Sequence, residues 1–389
     1  MNNSEPVYYQ EPYRKELEAT VLDIDGDRVI LDRTICYPEG GGQPGDKGMI
    51  GGCILKDTLK DDQKQIIHLV DNPTFHKGDL VHINLDWDHR YFYMQVHTAQ
   101  HMASGILFSQ FGIGTVSVHD GPKIFTIETD QESIDMKLCY LLEDKVNQTI
   151  REGHPVHYEE HTHKEAETLG LRRSIKVSGD DVRLVIIEGV DVIACGGLHV
   201  ANTTEVCLVQ YVGQESIRGH VRLIFTVGGN ALEEIRENRF LVNQLCTLHS
   251  AQRNTLLEVE TQVLSSLRES HTALNRMKQQ LCSLEFSSLL EKSPLVTWDI
   301  TNESFSLKQV AQALDVASSF ALCACRKEED KLLWLFAFKG KYANFDFVAH
   351  KKELLSPIFG SGGGKAPLYQ GVGKGDASVL FDVFRGLVK

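Results

Sequence analysis

Hydrophobic and polar residues alternate along several short segments of the first 87 residues, which is the pattern of β-strands with one face in a core. Asp25-Gly26, between two of these segments, is a typical hairpin turn. Strands are predicted over Leu17–Asp23, Arg28–Arg33, Ile66–Val70 and Leu80–Leu85. Short strands joined by glycine-rich turns predict a small β-barrel over residues 1–87.

Residues 88–228 mix helical and strand periodicity and predict a central α+β domain. A helix with Asp88 as its N-cap extends to Phe111, and a second amphipathic helix covers Gln131–Arg151. Strands are predicted over Arg183–Glu188, Val206–Tyr211 and Val221–Phe225.

Residues 229–292 predict a long helix, because residues 231–290 contain neither proline nor glycine. Apolar positions alternate at spacings of four and three, which is a heptad seam. The seam consists of Val263, Leu267, Ser270, Leu274, Met277, Leu281 and Leu284. An internal helical hairpin or a dimer would both produce it, and the uninterrupted length favours a homodimer through residues 231–290.

Residues 293–389 return to alternating strands and helices and predict a small α/β domain, with an apolar strand over Leu332–Phe338. Near the end, Gly362, Gly363 and Gly364 precede Lys365, and Lys374 follows among further glycines. This composition resembles a phosphate-cradling loop, although Ala366 after the lysine excludes a Walker A motif. A flexible surface turn is the alternative. The whole chain is therefore predicted to be an α+β protein of four parts.

Two short motifs carry candidate metal ligands. His97 and His101 are four residues apart on the first predicted helix and therefore share one face. Cys195 and His199 have the same spacing around a Gly-Gly turn. Three imidazoles and one thiolate form a borderline-soft tetrahedral set, which suits one Zn²⁺ per chain better than magnesium or calcium.

A glycine-rich segment, Tyr37–Gly48, lies inside the predicted barrel and contains Gly41, Gly42 and Gln43. No regular element tolerates so many glycines, so this segment is predicted to be a loop with unusual backbone angles. It is either a tight barrel turn or a backbone surface that a ligand approaches closely.

Charge and cysteine content narrow the class of protein. The formal net charge is -13, which argues against broad, non-specific binding of nucleic acid. The charge is uneven, however, since residues 296–389 hold 12 Lys and Arg against 10 Asp and Glu. Nine cysteines without CxxC pairs, no signal-peptide pattern and no long apolar stretch predict a cytoplasmic protein that does not enter a membrane.

Several hydrolase classes are excluded by the motifs. A zinc protease needs Glu directly after the first histidine, and this position is Thr98. The sequence has no GxSxG elbow, so an α/β-hydrolase is not expected. Zinc-assisted hydrolysis without a protein nucleophile and a purely structural zinc both remain open, because four protein ligands favour structure whereas catalysis needs a position for water.

Taken together, the motif from His97 to His101, the motif from Cys195 to His199, the segment Leu31–Gly48 and Asp86-Trp87 resemble the editing domain of alanyl-tRNA synthetase and its free-standing relatives, the AlaX proteins. The long helix and the glycine-rich ending at 360–375 are similar to the C-terminal domain of alanyl-tRNA synthetases, long AlaX proteins and DHH-type phosphodiesterases. The sequence contains no DHH motif, so phosphodiesterase activity is not implied.

This resemblance implies a trans-editing deacylase that hydrolyses the ester of tRNA(Ala) carrying Ser or Gly, without aminoacylation activity, because the chain opens directly on the barrel. The central domain, 88–228, is then the zinc-binding editing domain and 293–389 binds tRNA. The alternative is a non-catalytic, dimeric tRNA-binding protein with a structural zinc. A zinc hydrolase acting on small esters or amides is a third possibility.

The resemblance also implies roles for particular residues. Thr34 and Gln43, with Gly41 and Gly42, line the substrate pocket, and Thr34 is the first candidate to hydrogen-bond the seryl hydroxyl. Lys365 and Lys374, with Gly362, Gly363 and Gly364, are the expected tRNA contacts. A small basic run, Arg172, Arg173 and Lys176, is either a phosphate contact or a solvated surface.

Overall fold

The computed structural model describes residues 4–175 and 181–388. The chain divides into two compact units, Met1–Val242 and Asn243–Lys389. The mixed α+β class that the sequence predicts is confirmed. Lys176 of the basic run lies outside the described residues. Within the described ranges, no helix has both the length and the hydrophobicity needed to cross a lipid bilayer.

The N-terminal strands form the predicted barrel, which closes in the order β2-β3-β7-β6-β5-β8. The short β1 pairs in parallel with β4 outside it. Alternate residues of β2, such as Leu17, Ala19 and Val21, are buried in the barrel core. The strands are β1 Glu5–Pro6, β2 Glu16–Asp25, β3 Arg28–Leu31, β4 Arg33–Thr34, β5 Gly48–Ile50, β6 Cys53–Lys60, β7 Ile66–Val70 and β8 Leu80–Leu85.

In the middle of the chain, the described residues form two sheets and three α-helices. One sheet has the order β14-β15-β10-β9, and the other has the order β11-β12-β13. The elements are α1 Trp87–Phe111, β9 Thr115–Asp120, β10 Phe125–Thr129, α2 Met136–Glu152, β11 Val156–Thr162, α3 His163–Thr168, β12 Asp181–Ile187, β13 Asp191–Ala194, β14 Val209–Ile217 and β15 His220–Val227. The strands β9 and β10 were not predicted from the sequence.

The predicted starts of both long helices are wrong. Asp86, not Asp88, is the N-cap of α1, since its side chain accepts the backbone N–H of His89 at 3.1 Å. In the same way Asp135 caps α2 by accepting the N–H of Lys137, so this helix begins five residues later than predicted. In each case the capping aspartate has an extended backbone, and its side chain accepts an N–H group of the first helical turn that has no partner within the helix.

The second unit contains a five-stranded sheet of order β16-β17-β18-β20-β19. Its core is rich in aromatic residues, including the fully buried Trp334 and Phe336 of β18. The elements of the remaining chain are α4 Gly228–Leu248, α5 Leu256–Lys292, β16 Leu295–Asp299, α6 Leu307–Gln312, β17 Phe320–Glu328, β18 Lys331–Lys339, α7 Phe347–Leu355, β19 Ser361–Lys365, β20 Leu368–Gly373 and α8 Ala377–Leu387.

The long uninterrupted helix predicted over residues 231–290 is in fact two helices, α4 and α5. Between them, Ser250 has a positive φ of 49°, and Gln252 and Thr255 hydrogen-bond each other in a turn. These polar residues compete with the helical hydrogen bonds, although none of them is a proline or glycine. The heptad seam lies entirely on α5, and all its apolar members are exposed.

The predicted glycine-rich loop at the end of the chain is also different, because Gly362, Gly363 and Gly364 form the edge strand β19. A Cβ on Gly362 would lie 2.4 Å from the carbonyl oxygen of Gln370 and 2.7 Å from the Trp334 ring. Glycine is therefore required here for close pairing with β20 over this indole, and not for a loop that wraps a phosphate.

Candidate metal centre

Helix α1 holds the first ligand pair in the interior of the first unit. His97 and His101 are 2% and 3% exposed, and they lie on one face of the helix because they are four residues apart. Asp86 caps the helix at one end, and Gly112, in the left-handed conformation, closes it at the other. The helix therefore fixes two imidazole groups in a buried environment, where they need polar partners.

The second pair follows strand β13, where the chain turns through Gly196 and Gly197. A Cβ on Gly197 would lie 2.1 Å from Cε1 of His97, so only glycine lets the backbone pass this close to the imidazole ring. The turn thereby brings Cys195 and His199 next to His97 and His101, although at least 94 residues separate the two pairs in the sequence.

The four side chains meet in one cluster, with one ligand atom of each within 4.8 Å of the others. The Cys195 sulfur lies 3.3 Å from Nε2 of His97 and 3.7 Å from Nε2 of His199. A tetrahedral zinc with bonds of about 2.3 Å to sulfur and about 2.0 Å to nitrogen would separate such ligand atoms by roughly 3.5 Å. The cluster can therefore hold a metal ion, and its dimensions suit zinc.

The other ring nitrogen of each histidine faces an acceptor oxygen. Nδ1 of His97 lies 3.1 Å from Oε1 of Gln43, and Nδ1 of His101 lies 3.4 Å from a carboxylate oxygen of Asp191. Nδ1 of His199 donates to the Thr98 hydroxyl at 3.2 Å, because that hydroxyl already donates to the carbonyl of Met94. In His97 and His199 these contacts hold the proton on Nδ1, so the lone pair of Nε2 is left for a metal, which is the arrangement found around zinc-bound histidines.

The charges in the cluster favour the thiolate form of Cys195. Burial raises the pKa of the Cys195 thiol, but charge on His97 and His101 outweighs burial and holds this pKa well below its usual range. Burial lowers the pKa of His101, whereas Cys195 and Asp191 raise it to about 9. Burial, with the neighbouring imidazoles, lowers the pKa of His199. Cysteine binds metals as the thiolate, so the cluster stabilises the form that a metal ion needs.

A second layer of side chains fixes the metal-binding turn. Arg183 donates one nitrogen, Nη1, to the carbonyl oxygens of Cys195 and Gly197, at 2.8 and 3.0 Å. Its guanidinium lies 3.8 Å from the ring centre of Tyr158, whose hydroxyl accepts the backbone N–H of His199 at 3.1 Å. Arg183 and Tyr158 therefore fix the turn through hydrogen bonds to its backbone, and their side chains also contact each other.

Gln43 joins the glycine-rich loop to the metal centre. Its Oε1 atom accepts the backbone N–H of Leu198 at 2.8 Å as well as facing His97. The loop is anchored three residues later, where the buried carboxylate of Asp46 forms an ion pair with the fully buried Arg90 of α1. Nε2 of Gln43 is buried and has no hydrogen-bond partner within the described part of the chain.

The other predicted pocket residues occupy different environments. Gly41 and Gly42 are exposed at the tip of the loop, with positive φ angles of 64° and 95°. Thr34 is fully buried, and its hydroxyl accepts the N–H of Cys36 at 3.0 Å and contacts Nε2 of His68 at 2.8 Å. Thr34 thus has protein partners, whereas Gln43 retains a free donor.

The residues of the basic run and the two C-terminal lysines lie in different environments. Arg172 is not a solvated phosphate contact, since it is buried and forms two hydrogen bonds with Asp191, the carboxylate beside His101. Arg173 donates to the carbonyl oxygen of Val116. In the second unit, Lys365 ends β19 and Lys374 follows β20, and both are exposed.

Sequence reasoning missed the residues that support the metal ligands. Asp191 lies only four residues before Cys195, so proximity was a usable signal for this carboxylate, whereas Arg183 lies twelve residues before it. Tyr158 gave no such signal, because only the pairing of β11 with β12 brings it to Arg183.

The chain is similar to known proteins that act on tRNA, both in its N-terminal part and along nearly its entire length. Residues 4–89 match the family model of tRNA synthetases class II (A). Over 97% of its length, the chain is 29% identical to the alanyl-tRNA editing protein AlaX-L of Pyrococcus horikoshii and covers 97% of that protein. The resemblance to the AlaX family that the sequence predicts is confirmed.

Alanine–tRNA ligases are similar over a smaller share of their own length. The chain is 29% identical to the ligase of Pyrococcus abyssi over 98% of this chain and 43% of that ligase. It is 30% identical to the ligase of Methanococcus aeolicus over 74% of this chain and 33% of the ligase. The chain thus spans nearly all of AlaX-L and less than half of these ligases.

Proposed function

We propose that this protein is a trans-editing aminoacyl-tRNA deacylase that hydrolyses tRNA(Ala) mischarged with Ser, and also with Gly, with the help of one bound zinc ion. The observation that carries the proposal is the contact of Gln43 with His97 and Leu198, because it joins a glycine-rich loop to the metal cluster in one site. The similarity to AlaX-L along nearly the entire chain supports the same activity.

The need for such a site follows from the chemistry of small amino acids. An activation pocket built for alanine cannot exclude the smaller glycine, and it rejects an added hydroxyl weakly. A second site whose polar group pairs with the seryl hydroxyl can discriminate strongly, since bound alanine would leave that group unpaired. Of the two proposed groups, Gln43 is better placed than Thr34, because its buried Nε2 has no partner within residues 4–175 and 181–388.

The reaction is hydrolysis of the aminoacyl ester. Water attacks the ester carbonyl, the bond to the terminal ribose oxygen breaks, and free amino acid and uncharged tRNA leave. His97, His101, Cys195 and His199 would hold the zinc, which supplies a Lewis acid for polarising water or orienting the substrate. Gln43, Asp191 and Thr98 fix the imidazole rings, and no covalent intermediate is needed because the ester is already activated by its ammonium group.

The remaining parts of the chain support binding of tRNA by a dimer. Lys365 and Lys374 are exposed near the edge strand that contains Gly362, Gly363 and Gly364, where they can meet backbone phosphates. The exposed heptad seam on α5 is a surface that a second copy of the chain would bury. Both roles are part of the proposal.

The direct test compares zinc content and deacylation in matched cysteine variants. Cys195→Ala should lose bound zinc and hydrolysis of Ser-tRNA(Ala) together, whereas Cys53→Ala, in the barrel, should retain both. Equal hydrolysis with and without the wild-type protein would favour a non-catalytic tRNA-binding protein instead. Hydrolysis of small esters without tRNA would favour a general zinc hydrolase.

A further inference from the structure

Asp120, the last residue of β9, is a buried carboxylate without a donor. The residue is 2% exposed, and neither Oδ1 nor Oδ2 has a hydrogen-bond partner among the residues that the structure describes. Glu128, on the neighbouring strand, shows the ordinary solution, since it is 3% exposed and accepts the Ser117 hydroxyl at 2.7 Å. Burial of a polar group without a partner costs free energy, so Asp120 calls for a specific explanation.

The register of the sheet places Asp120 on the side of the metal helix. Asp120 and Val118 are opposite Phe125 and Ile127 of β10, which are fully buried in the core that includes α1. On this face, a Cβ added to Gly42 would lie 3.9 Å from Val118. The same face of β9 therefore meets the glycine-rich loop and the core beside α1.

The electrostatic effects between Asp120 and residues of α1 also indicate that Asp120 faces this helix. Burial raises the pKa of Asp120, while charge on His97 and His101 lowers it. Burial and, to a smaller extent, the charge of Asp120 raise the pKa of Tyr93, which precedes His97 by four residues on the same face of α1. Asp120 is nevertheless not one of the four clustered metal ligands. Asp120 is therefore within range of the charge on these two metal ligands without being a ligand itself.

The chemistry of a buried carboxylate identifies what could satisfy it. An ionised carboxylate only accepts hydrogen bonds, and it is strongly stabilised by a cationic donor. No such donor from the described part of the chain reaches it. The ester of an amino acid carries a cationic donor of the required kind, the α-ammonium group, two bonds from the carbonyl that the reaction attacks.

We propose that Asp120 binds the α-ammonium group of the aminoacyl ester, an inference that rests on the proposed deacylase function. The site then recognises its substrate from two directions, with the side chain of the amino acid toward the glycine-rich loop and its ammonium toward β9. An amino acid whose nitrogen is acylated loses this contact, so the site separates aminoacyl-tRNA from peptidyl-tRNA.

The test uses two non-hydrolysable probes that differ at one group. One is 3′-deoxyadenosine with L-serine joined through a 3′-amide, and the other carries glyceric acid, which has a hydroxyl where serine has its ammonium. Calorimetry on the zinc-loaded wild type should give about 10- to 100-fold tighter binding of the seryl probe, as a hydrogen bond to a charged group predicts. In Asp120→Asn this preference should fall to about one, with zinc content unchanged.

Glu128→Gln is the matched control, because it neutralises a buried carboxylate of the same sheet that already has a partner, and it should keep the preference. A wild type that binds both probes equally, or an Asp120→Asn variant that keeps the preference, would overturn the role of Asp120. The wild-type comparison stands even if the variant fails to fold. If the wild type binds neither probe and also hydrolyses no aminoacyl-tRNA, both this inference and the proposed function are wrong, whereas deacylation without the preference overturns the inference alone.

Discussion

The side-chain oxygen of Gln43 lies 3.1 Å from Nδ1 of His97, and the same oxygen accepts the backbone N–H of Leu198. One amide thus connects the glycine-rich loop, the metal helix and the metal-binding turn. The contact also decides which nitrogen of His97 is available, because an amide oxygen can only accept and therefore holds the proton on Nδ1.

Replacement of this amide should weaken the metal centre without removing a ligand. Gln43→Leu keeps a similar volume but leaves Nδ1 of His97 and the N–H of Leu198 without their acceptor, so zinc affinity should fall about 10- to 100-fold. Competition with a chromophoric chelator measures this change. Gln63→Leu, a change at an exposed glutamine between β6 and β7, should leave the affinity unaltered. Unchanged affinity in Gln43→Leu would show that the amide does not orient His97.

The anchor of the glycine-rich loop should contribute strongly to stability. Asp46→Asn breaks an ion pair whose side chains are 3% and 0% exposed, leaving Arg90 buried without its counter-charge. We expect a loss of about 3–5 kcal/mol in the free energy of unfolding, measured in urea. Asp71→Asn, which breaks the exposed pair with Lys56, should cost less than about 1 kcal/mol. Similar losses in the two variants would contradict a special role for the buried pair.

His68 should make the barrel sensitive to acid. Burial lowers its folded-state pKa to about 4 from 6.5, so between these values the unfolded chain binds a proton that the folded chain does not. Stability therefore falls as the pH drops from about 6.5 toward 4, by about 3 kcal/mol in total. His68→Gln does not titrate, and its urea stability should fall less between pH 7 and pH 4.5 than that of the wild type. Parallel losses would show that His68 titrates normally.

The exposed seam of α5 should determine the oligomeric state. Leu267 and Leu274 are 64% and 48% exposed, and charge at these positions would disrupt a coiled coil. Leu267→Glu with Leu274→Glu should convert a dimer into a monomer, as measured by light scattering. Ser265→Glu, at a neighbouring exposed position outside the seam, should remain dimeric. A monomeric wild type would rule out the dimer.

Local sequence patterns predicted the parts of this molecule that depend on periodicity. The barrel strands follow from alternation, and the spacing of His97, His101, Cys195 and His199 identified side chains that meet in space. The break between α4 and α5 was missed because it contains neither proline nor glycine, only a polar turn. Gly362 was misread because it is required where β19 passes the Trp334 ring and the backbone of β20, a proximity that no local pattern reveals.

The supporting residues of the site were beyond prediction for a similar reason. Asp120 ends a strand whose alternation could have been recognised, but its lack of a partner is a property of the folded core. Thr98 illustrates the opposite case. From the sequence, Thr98 served only to exclude a zinc protease. In the structure, its hydroxyl is hydrogen-bonded to Nδ1 of His199.

The proposed site should distinguish wrongly charged from correctly charged tRNA. The most direct measurement is hydrolysis of Ser-tRNA(Ala) and Ala-tRNA(Ala) by the same zinc-loaded preparation. We predict that the seryl ester is hydrolysed at least about 100-fold faster than the alanyl ester, each corrected for its uncatalysed rate, because alanine leaves the polar group of the pocket unpaired. Equal corrected rates for the two esters would contradict the account.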